Sequence, residues 1–316
     1  MKKLLILSSV CFLLFVTKSN SQIIKTQKED TISYWEKTNK IGFDISQISF
    51  VNWNAGGNNS ISGLIKGKFI REFSKKNINW KNELIARYGL NKQEGQEIRK
   101  TDDQLLVNST FGYRTDTISN WYHGAKATFS TQFYNGYSYP NIDKPISRFM
   151  APAYFFLGIG SEYKRDDLKL NVYLSPLTQK TTLVLDSRLA NQGAFGVTPA
   201  VYDPITGDII SEGRKSRTEV GILITNQWEK EIWKNINLEH RMSLYTDYIN
   251  KFGNIDVDWQ ILIEMTVNDF VKANLGTHLV YDDDIKAKEE VNGEQVIVGP
   301  KVQLKQILGV GLTYSF

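Results

Sequence analysis

The sequence predicts an all-β protein, a transmembrane antiparallel β-barrel of twelve strands, and three observations support this fold class. From about residue 42 to the C-terminus, long segments alternate apolar and polar residues, as strands do when one face meets lipid and the other a polar lumen. Several of these segments are about twice as long as a usual strand of 5–6 residues. Short and long connections also alternate along the chain, which is the habit of membrane barrels.

Segment 255–267 shows the alternation most clearly. One face carries Ile255, Val257, Trp259, Ile261, Ile263, Met265 and Val267. The opposite face carries Asp256, Asp258, Gln260, Leu262, Glu264 and Thr266. A soluble β-sandwich would alternate in the same way, so strand length and the pattern of connections decide in favour of the barrel.

The connections give the strand count. The expected short periplasmic turns are 74–77, 116–120, 165–167, 229–234 and 268–270. The expected extracellular connections are 54–59, 91–103, 135–152, 176–215, 250–254 and 282–301. This arrangement has twelve strands and places both termini in the periplasm. Segment 168–186 leaves an alternative open, because it fits either one strand with an outer extension or a separate hairpin, which would give fourteen strands.

The first residues are typical of a secretory signal peptide. Lys2 and Lys3 precede an apolar run at 4–16, and small polar residues then provide a cleavage site after Ser21. The apolar run is shorter than the roughly 20 residues of a membrane-spanning helix. We therefore expect a signal peptide at 1–21, a short periplasmic segment at 22–41 and an outer-membrane β-barrel at 42–316.

The composition excludes several classes of function. Cleavage after Ser21 removes three lysines and no acidic residue, so the formal charge falls from +4 to +1. A nearly neutral exported chain has no electrostatic basis for binding nucleic acid. Cys11 is the only cysteine and lies in the signal peptide, so the mature chain has neither a disulfide nor thiol chemistry.

Aromatic residues lie beside the expected periplasmic turns. They are Trp80, Trp121, Trp228, Trp233 and Phe270. Amphipathic rings prefer the level of the lipid headgroups, so these residues predict an aromatic girdle in contact with outer-membrane lipid.

The C-terminus repeats the alternation and ends on an aromatic residue. The alternating residues are Leu308, Val310, Leu312, Tyr314 and Phe316. This ending resembles the closing-strand signal that bacterial outer-membrane barrels present to the barrel assembly machinery, which is therefore the expected partner during biogenesis.

A block near the start of the barrel resembles a signature of a Bacteroidota family of outer-membrane β-barrels of unknown function. That signature is Gln-x-x-Phe-x-Asn-Trp-x-x-Gly-Gly-x-Asn-Ser. The matching residues are Gln47, Phe50, Asn52, Trp53, Gly56, Gly57, Asn59 and Ser60. The resemblance implies a barrel but no activity. Paired glycines and asparagines suit a hairpin turn with positive φ, although a binding loop would use the same residue types.

Acidic side chains are expected to meet at the extracellular rim. In the twelve-strand register, Asp247, Asp256, Asp258 and Asp282 point inward on consecutive strands, with His278 close below them. Converging carboxylates of this kind suit Ca²⁺, which takes six to eight oxygen ligands. The competing interpretation is a solvated acidic rim neutralised by lysines from the loops, and we favour the lysines.

The interior indicates a polar lumen without a bias toward either charge. We therefore expect a passive or gated channel for small polar solutes. Two alternatives remain: a barrel that transports nothing and binds a ligand or partner through its outer loops, and a barrel hydrolase that uses the acidic rim. No catalytic or cofactor-binding residues are indicated, since neither His123 nor His240 has a serine two residues away, as a barrel phospholipase would require. The loop at 176–215 is long enough to fold inward as a constriction.

Overall fold

The computed structural model describes residues 33–49, 58–250, 252–291 and 294–316, and it describes the side chains outside 287–297. Residues Tyr34–Phe316 form one compact unit. The predicted signal peptide and most of the predicted 22–41 segment lie outside the described residues. Within the described ranges, no helix combines the length and the apolar character needed to span a membrane.

Almost all regular structure in this unit is β. The strands are β1 (Trp35–Ile48), β2 (Ser60–Lys75), β3 (Ile78–Gln93), β4 (Arg99–Tyr113), β5 (Trp121–Thr131), β6 (Ala153–Arg165), β7 (Leu170–Leu183), β8 (Val201–Tyr202), β9 (Ile209–Ser211), β10 (Ser216–Trp233), β11 (Ile236–Asp247), β12 (Asp256–Thr266), β13 (Val271–Tyr281), β14 (Lys286–Val291), β15 (Glu294–Pro300) and β16 (Gln303–Ser315). The described helices are α1 (Ser187–Asn191) and the 3₁₀ turns Asp166–Leu168 and Ala194–Gly196.

Twelve strands close into an antiparallel barrel in the order β1-β16-β13-β12-β11-β10-β7-β6-β5-β4-β3-β2. The other four form two hairpins, β8-β9 and β14-β15. The predicted twelve-stranded barrel is therefore confirmed, and the fourteen-stranded alternative is wrong. Segment 168–186 forms the single strand β7.

The two ends of the chain close the barrel. β1 pairs with β16 from Lys40 opposite Ser315 to Ile45 opposite Val310. The Phe316 N–H donates to the Asn39 carbonyl at 3.0 Å, and the Asn39 side-chain amide donates to the Phe316 carbonyl at 2.8 Å. Closure pairs the backbone groups that an open sheet would expose, which is what a hydrocarbon environment requires.

Burial in this barrel is inverted relative to a soluble protein. Apolar side chains on the outer face are exposed, and Leu308 is 70% accessible. The other alternating residues of the closing strand, Val310, Leu312, Tyr314 and Phe316, are exposed in the same way. Charged side chains such as Glu83, Asp102 and Glu219 are instead buried inside. An apolar belt of this extent is stable only against a hydrocarbon phase.

Polar groups on the outer face are paired across neighbouring strands. The His123 Nδ1 and Ser161 Oγ atoms lie 2.8 Å apart, and the Trp259 indole donates to His240 Nδ1 at 3.1 Å. Such pairs satisfy the polar atoms that would otherwise face lipid alone. The sequence showed no serine near His123 because Ser161 is its partner on the next strand rather than on the same one.

Aromatic side chains gather at the end of the barrel that carries the short turns. The ring centroids of Trp35 and Trp80 are 5.8 Å apart, and those of Trp121 and Tyr163 are 5.1 Å apart. Trp233 and Phe270 are exposed beside their turns, as the predicted girdle requires. Trp35 was not expected there, because β1 begins at Trp35 rather than at the predicted boundary of 42.

β7 extends beyond the point where the sequence placed its end. The long connection was predicted to begin at Pro176, but the strand continues to Leu183. The register with both neighbours shifts here, between Ile159 and Ser161 on β6 and between Gly221 and Leu223 on β10. A bulge at this point accommodates a proline, which has no N–H to give to the ladder.

Buried hydroxyl groups hold the bulge together. The Ser175 hydroxyl donates to the Ile159 carbonyl at 2.9 Å, and the Thr178 hydroxyl donates to Ser175 Oγ at 2.7 Å. The Tyr173 hydroxyl donates to the Gly158 carbonyl at 2.8 Å. A Cβ atom at Gly158 would lie 2.5 Å from Thr178 Oγ1, so glycine provides the room for this cluster.

Replacing Thr178 with valine tests the cluster. Thr178→Val keeps the shape of the side chain but leaves the Ser175 oxygen without its donor, so we expect a loss of about 1–3 kcal/mol in the free energy of unfolding. The measurement is urea unfolding of the micelle-refolded barrel, followed by tryptophan fluorescence. Thr181→Val removes a half-buried hydroxyl from the same strand that lies outside the cluster and contacts only Gln179 and Thr218, so we expect a change of less than about 0.5 kcal/mol. Equal losses in the two variants would contradict the role of the cluster.

Candidate functional site

A salt bridge crosses the full width of the barrel. Glu83 lies on β3 and Arg241 on β11, which are six positions apart in the closed ring of twelve strands and therefore face each other. The Arg241 Nη1 and Nη2 atoms each donate to one Glu83 carboxylate oxygen, both at 2.8 Å. This two-pronged geometry is the strongest that a guanidinium and a carboxylate adopt.

Two further charges complete this layer. Arg241 Nε donates to Glu239 Oε1 at 2.7 Å, and the Lys68 ammonium on β2 donates to the same oxygen at 3.1 Å. Lys68 also lies 3.8 Å from Glu83. We call these four residues, Lys68, Glu83, Glu239 and Arg241, the lumen bridge. Its two positive and two negative charges cancel, which lowers the cost of burying them.

Other ion pairs cross the lumen at different heights. Lys164 on β6 pairs with Glu72 on β2, which also accepts a bond from Asn79 at 2.8 Å. Lys305 on β16 lies 2.8 Å from Asp102 on β4. The barrel interior is therefore braced by side chains that reach from wall to wall.

The predicted acidic rim is partly brought together. The Lys180 ammonium lies 2.6 Å from Asp256 and 3.3 Å from Asp282, and Glu219 is 3.8 Å away. A lysine therefore does stand among these carboxylates, as favoured from the sequence. It comes from the strand β7 rather than from a loop.

The remaining rim residues make separate contacts. Asp258 pairs with His278 at 3.0 Å, and Asp247 accepts the backbone N–H of Ile249 at 2.9 Å. The four predicted carboxylates thus do not surround one point. Among the described residues, no group of three or more His, Cys, Asp or Glu side chains is arranged to hold a metal ion. The calcium interpretation gains no support from this geometry.

Two cavities meet at the lumen bridge. The larger, of about 430 Å³, opens toward the long connections and is lined by Thr131, Asp256 and Asp282 among others; we call it the loop-side cavity. The smaller, of about 180 Å³, is lined by Lys40 and Thr313 among others, near the two chain ends. The side chains that line both cavities include Gln104, Arg241, Gln260 and His278. Arg241 therefore forms part of the wall between them.

The long loop between β7 and β10 does not form the constriction. Its residues Val184, Leu189, Ala190 and Val197 pack with Ala151 into a small apolar core of their own. None of the described residues at 184–215 lines the loop-side cavity. The lumen is narrowed by side chains of the wall instead, which corrects the expectation of an infolded loop.

A charged contact anchors this loop at its start. Asp186 caps α1 by accepting the Leu189 N–H at 2.9 Å, and Arg148 donates to its other oxygen at 2.7 Å. Partial burial raises the pKa of Asp186, but these two hydrogen bonds outweigh it and hold the pKa below its ordinary value. Asp186 therefore stays ionised and keeps the loop attached to the preceding connection.

The block that resembles a family signature is only partly described. Gln47 lies near the end of β1, and Asn59 and Ser60 lie at the start of β2. The Asn59 side-chain amide donates to Glu94 at 2.8 Å, which ties this connection to the next one. Phe50, Asn52, Trp53, Gly56 and Gly57 lie outside the described residues.

A family model described as "Protein of unknown function (DUF3078)" matches residues 45–137, which is less than a third of the chain. The comparison with curated proteins gives no match.

Three solved structures are similar to the chain in fold. The COG4313 outer membrane channel from Pseudomonas putida F1 shares 10% identity over 92% of this chain and 100% of that chain, with a TM-score of 0.39. The translocator domain of the autotransporter NalP from Neisseria meningitidis shares 9% identity over 89% and 87%, with a TM-score of 0.33. The β domain of the Bordetella autotransporter Brka shares 11% identity over 90% and 100%, with a TM-score of 0.31. Similarity at this level carries no argument about function.

Removing Lys180 tests whether the rim binds cations. In the native barrel the Lys180 ammonium pairs with both Asp256 and Asp282, so we expect calcium to leave the melting temperature unchanged. In Lys180→Met the two carboxylates lose their partner, and calcium binding should raise the melting temperature by about 2–4 °C for each kcal/mol of binding energy. Asp256→Asn in that background should abolish the calcium effect.

Lys305→Met is the matched control, since Asp102 keeps Arg87 at 2.6 Å when Lys305 is lost. A calcium-dependent shift in the native barrel of the size seen in Lys180→Met would show that Lys180 does not replace a metal.

Proposed function

We propose that this chain is an outer-membrane barrel that conducts small polar solutes through a gate, and that the lumen bridge is the closed gate. The observation that carries the proposal is the position of Arg241, which crosses the barrel and lines the cavities on both of its sides. Moving this side chain aside would remove part of the wall between the two polar spaces and open a path from one to the other.

The location rests on the barrel's own features. Its ring of strands is closed, its outer face is apolar, and the sequence predicts a signal peptide and a closing-strand signal. These properties together suit a bacterial outer membrane, with both chain ends and the short turns on the periplasmic side.

Charged residues suit a gate whose open state is a water-filled path. A layer of packed apolar side chains would seal the barrel more firmly, because buried ion pairs are often no more stable than apolar residues of the same volume. Once the bridge parts, water can solvate Glu83 and Arg241 separately, whereas it would not solvate an apolar plug. The use of Glu83 and Arg241 at this position therefore favours a gate that can open rather than a permanent plug.

A barrel that transports nothing is the second candidate. It is supported by the number of ion pairs that cross the lumen, since Lys164 with Glu72 and Lys305 with Asp102 also span it. Permanent pairs of this kind would leave the outer loops as the functional surface. A hydrolase has less support, because the Asp258–His278 pair has no hydroxyl or thiol hydrogen-bonded to the imidazole among the described residues.

Conductance in a planar bilayer separates a gate from a plug. Losing one partner alone would leave a buried charge at a cost of about 3–5 kcal/mol, so the informative variant is Glu83→Gln with Arg241→Gln. It keeps the layer neutral through Lys68 and Glu239. We expect its conductance to rise several-fold over that of the native barrel. Lys169→Gln removes an exposed ion pair with Glu229 and should leave conductance unchanged.

Heat-modifiable migration on gels establishes that each variant is folded before it is measured. A folded double variant with native conductance would show a static plug and favour the second candidate.

Deleting Phe316 tests the closing-strand signal. Since its carbonyl accepts a bond from Asn39 at 2.8 Å and its ring is exposed, loss of Phe316 removes both a seam contact and the terminal aromatic. We expect several-fold less barrel in the outer-membrane fraction by immunoblot. Phe316→Tyr keeps an aromatic terminus and should assemble normally. Native levels after the deletion would remove the proposed role of this residue in assembly.

A further inference from the structure

The loop-side cavity is lined by several polar side chains that have no hydrogen-bond partner in the described part of the chain. Six of them make no side-chain hydrogen bond to any other described residue: Gln104, Thr110, Ser130, Asn171, Gln227 and Ser243. Polar groups that stand inside a fold normally find partners, so their hydrogen-bonding capacity is directed at whatever fills the cavity.

These side chains stand on two walls. Gln104 lies on β4, and Gln227 lies on β10, four positions away around the ring of twelve strands. The others accompany them, with Thr110 and Ser130 on β4 and β5, and Asn171 and Ser243 on β7 and β11. A molecule in the cavity would therefore meet hydroxyl and amide groups from two sides.

Most of the carboxylates named in the lining of this cavity contact another side chain of the protein. Asp256 and Asp282 share Lys180, Glu83 is held by Arg241, and Asp258 contacts His278. A cationic ligand would have to displace one of these internal partners to reach these carboxylates.

Three lining charges have no ion-pair partner among the described residues. Lys126 donates to Thr225 Oγ1 at 2.8 Å, while Lys81 and Glu162 make no side-chain hydrogen bond to another described residue. Two cations and one carboxylate leave little net charge, and each can serve as a hydrogen-bonding group to a neutral ligand.

One wall of the cavity also offers an aromatic surface. The half-buried Phe156 ring meets Tyr245 edge-on, with centroids 5.8 Å apart. The Tyr245 ring is covered by the Lys180 ammonium at 5.2 Å, whereas Phe156, which also lines the cavity, can present apolar surface to a ligand. Hydroxyl and amide donors around an aromatic ring match the two kinds of surface that a sugar carries, its hydroxyl groups and its C–H face.

We propose that the loop-side cavity binds an uncharged, polyhydroxylated solute of the size of a mono- or disaccharide. Its volume of about 430 Å³ falls within the range of small-molecule sites. That this solute is also the one transported rests on the proposed channel function. Binding itself needs only the cavity.

Calorimetry on the purified barrel in detergent tests the binding, with sucrose as the probe. We expect a dissociation constant in the millimolar range for sucrose, and weaker binding of citrate and of putrescine. Gln104→Leu and Gln227→Leu should each weaken sucrose binding about fivefold, the effect of losing one hydrogen bond. Gln179→Leu is the matched control, because Gln179 is exposed and bonds only to Thr181 at 3.1 Å.

The proposal would be overturned by any of three results: no binding of sucrose, tighter binding of citrate or putrescine than of sucrose, or sucrose binding that neither Gln104→Leu nor Gln227→Leu weakens. Sucrose binding without a conductance increase in the Glu83→Gln, Arg241→Gln variant would keep the site and refute the channel. Increased conductance without sucrose binding would keep the channel and refute the site.

Discussion

The salt bridge that Arg241 makes with Glu83 across the lumen is the interaction on which the arrangement of the barrel interior depends. Twelve strands enclose a space intermediate between the small barrels that side chains fill and the large ones that stay open. At this width Arg241 on one wall meets Glu83 on the other without a loop between them. The lumen is therefore governed by the chemistry of its wall, and the outer loops are left to pack among themselves, as the apolar cluster around Val184 does.

Burying charge in this space is tolerable because nearly every charge has a partner. Lys68, Glu239 and Arg241 share contacts within one layer, and Lys180 serves two aspartates at another height. Side chains on opposite walls hold each other in place, which stiffens the cylinder from inside. In the loop-side cavity, uncharged amides and hydroxyls remain available together with the three unpaired charges Lys81, Lys126 and Glu162 among the described residues.

Much of the fold could be predicted because alternation is a local property. Because successive residues of a strand point to opposite faces, the sequence of each strand alone indicates that Lys68, Glu83, Glu239 and Arg241 point inward. Their contacts could not be predicted, since the residues that share a height depend on strand tilt and stagger around the whole ring. Pro176 after Ser175 indicated the end of a strand. The strand continues because hydroxyl hydrogen bonds stabilise a bulge at this point, and one of them reaches the neighbouring strand, which the sequence does not show.

The early start of β1 has a similar explanation. Residues 35–41 mix polar and apolar side chains on the outer face, a pattern that gives no clear alternation. At the level of the headgroups such a mixture is acceptable, so the strand continues where the lipid-facing pattern has stopped. The arrangement at the rim could not be predicted in the same detail: the sequence places four aspartates at one end of the barrel, but their separate contacts, such as Asp256 with Lys180 and Asp258 with His278, appear only in the structure.

The seam between β1 and β16 has a mechanical consequence. Its ladder runs only from Lys40 to Ile45, whereas the ladder between β1 and β2 runs from Trp35 to Ile48. The strand pair with the shortest ladder of backbone hydrogen bonds is expected to separate first. Thermal fraying of the barrel should therefore begin along this line, with the Asn39–Phe316 bonds acting as its end clasp and amide protons of Phe43 and Leu312 exchanging before those of the longer ladders.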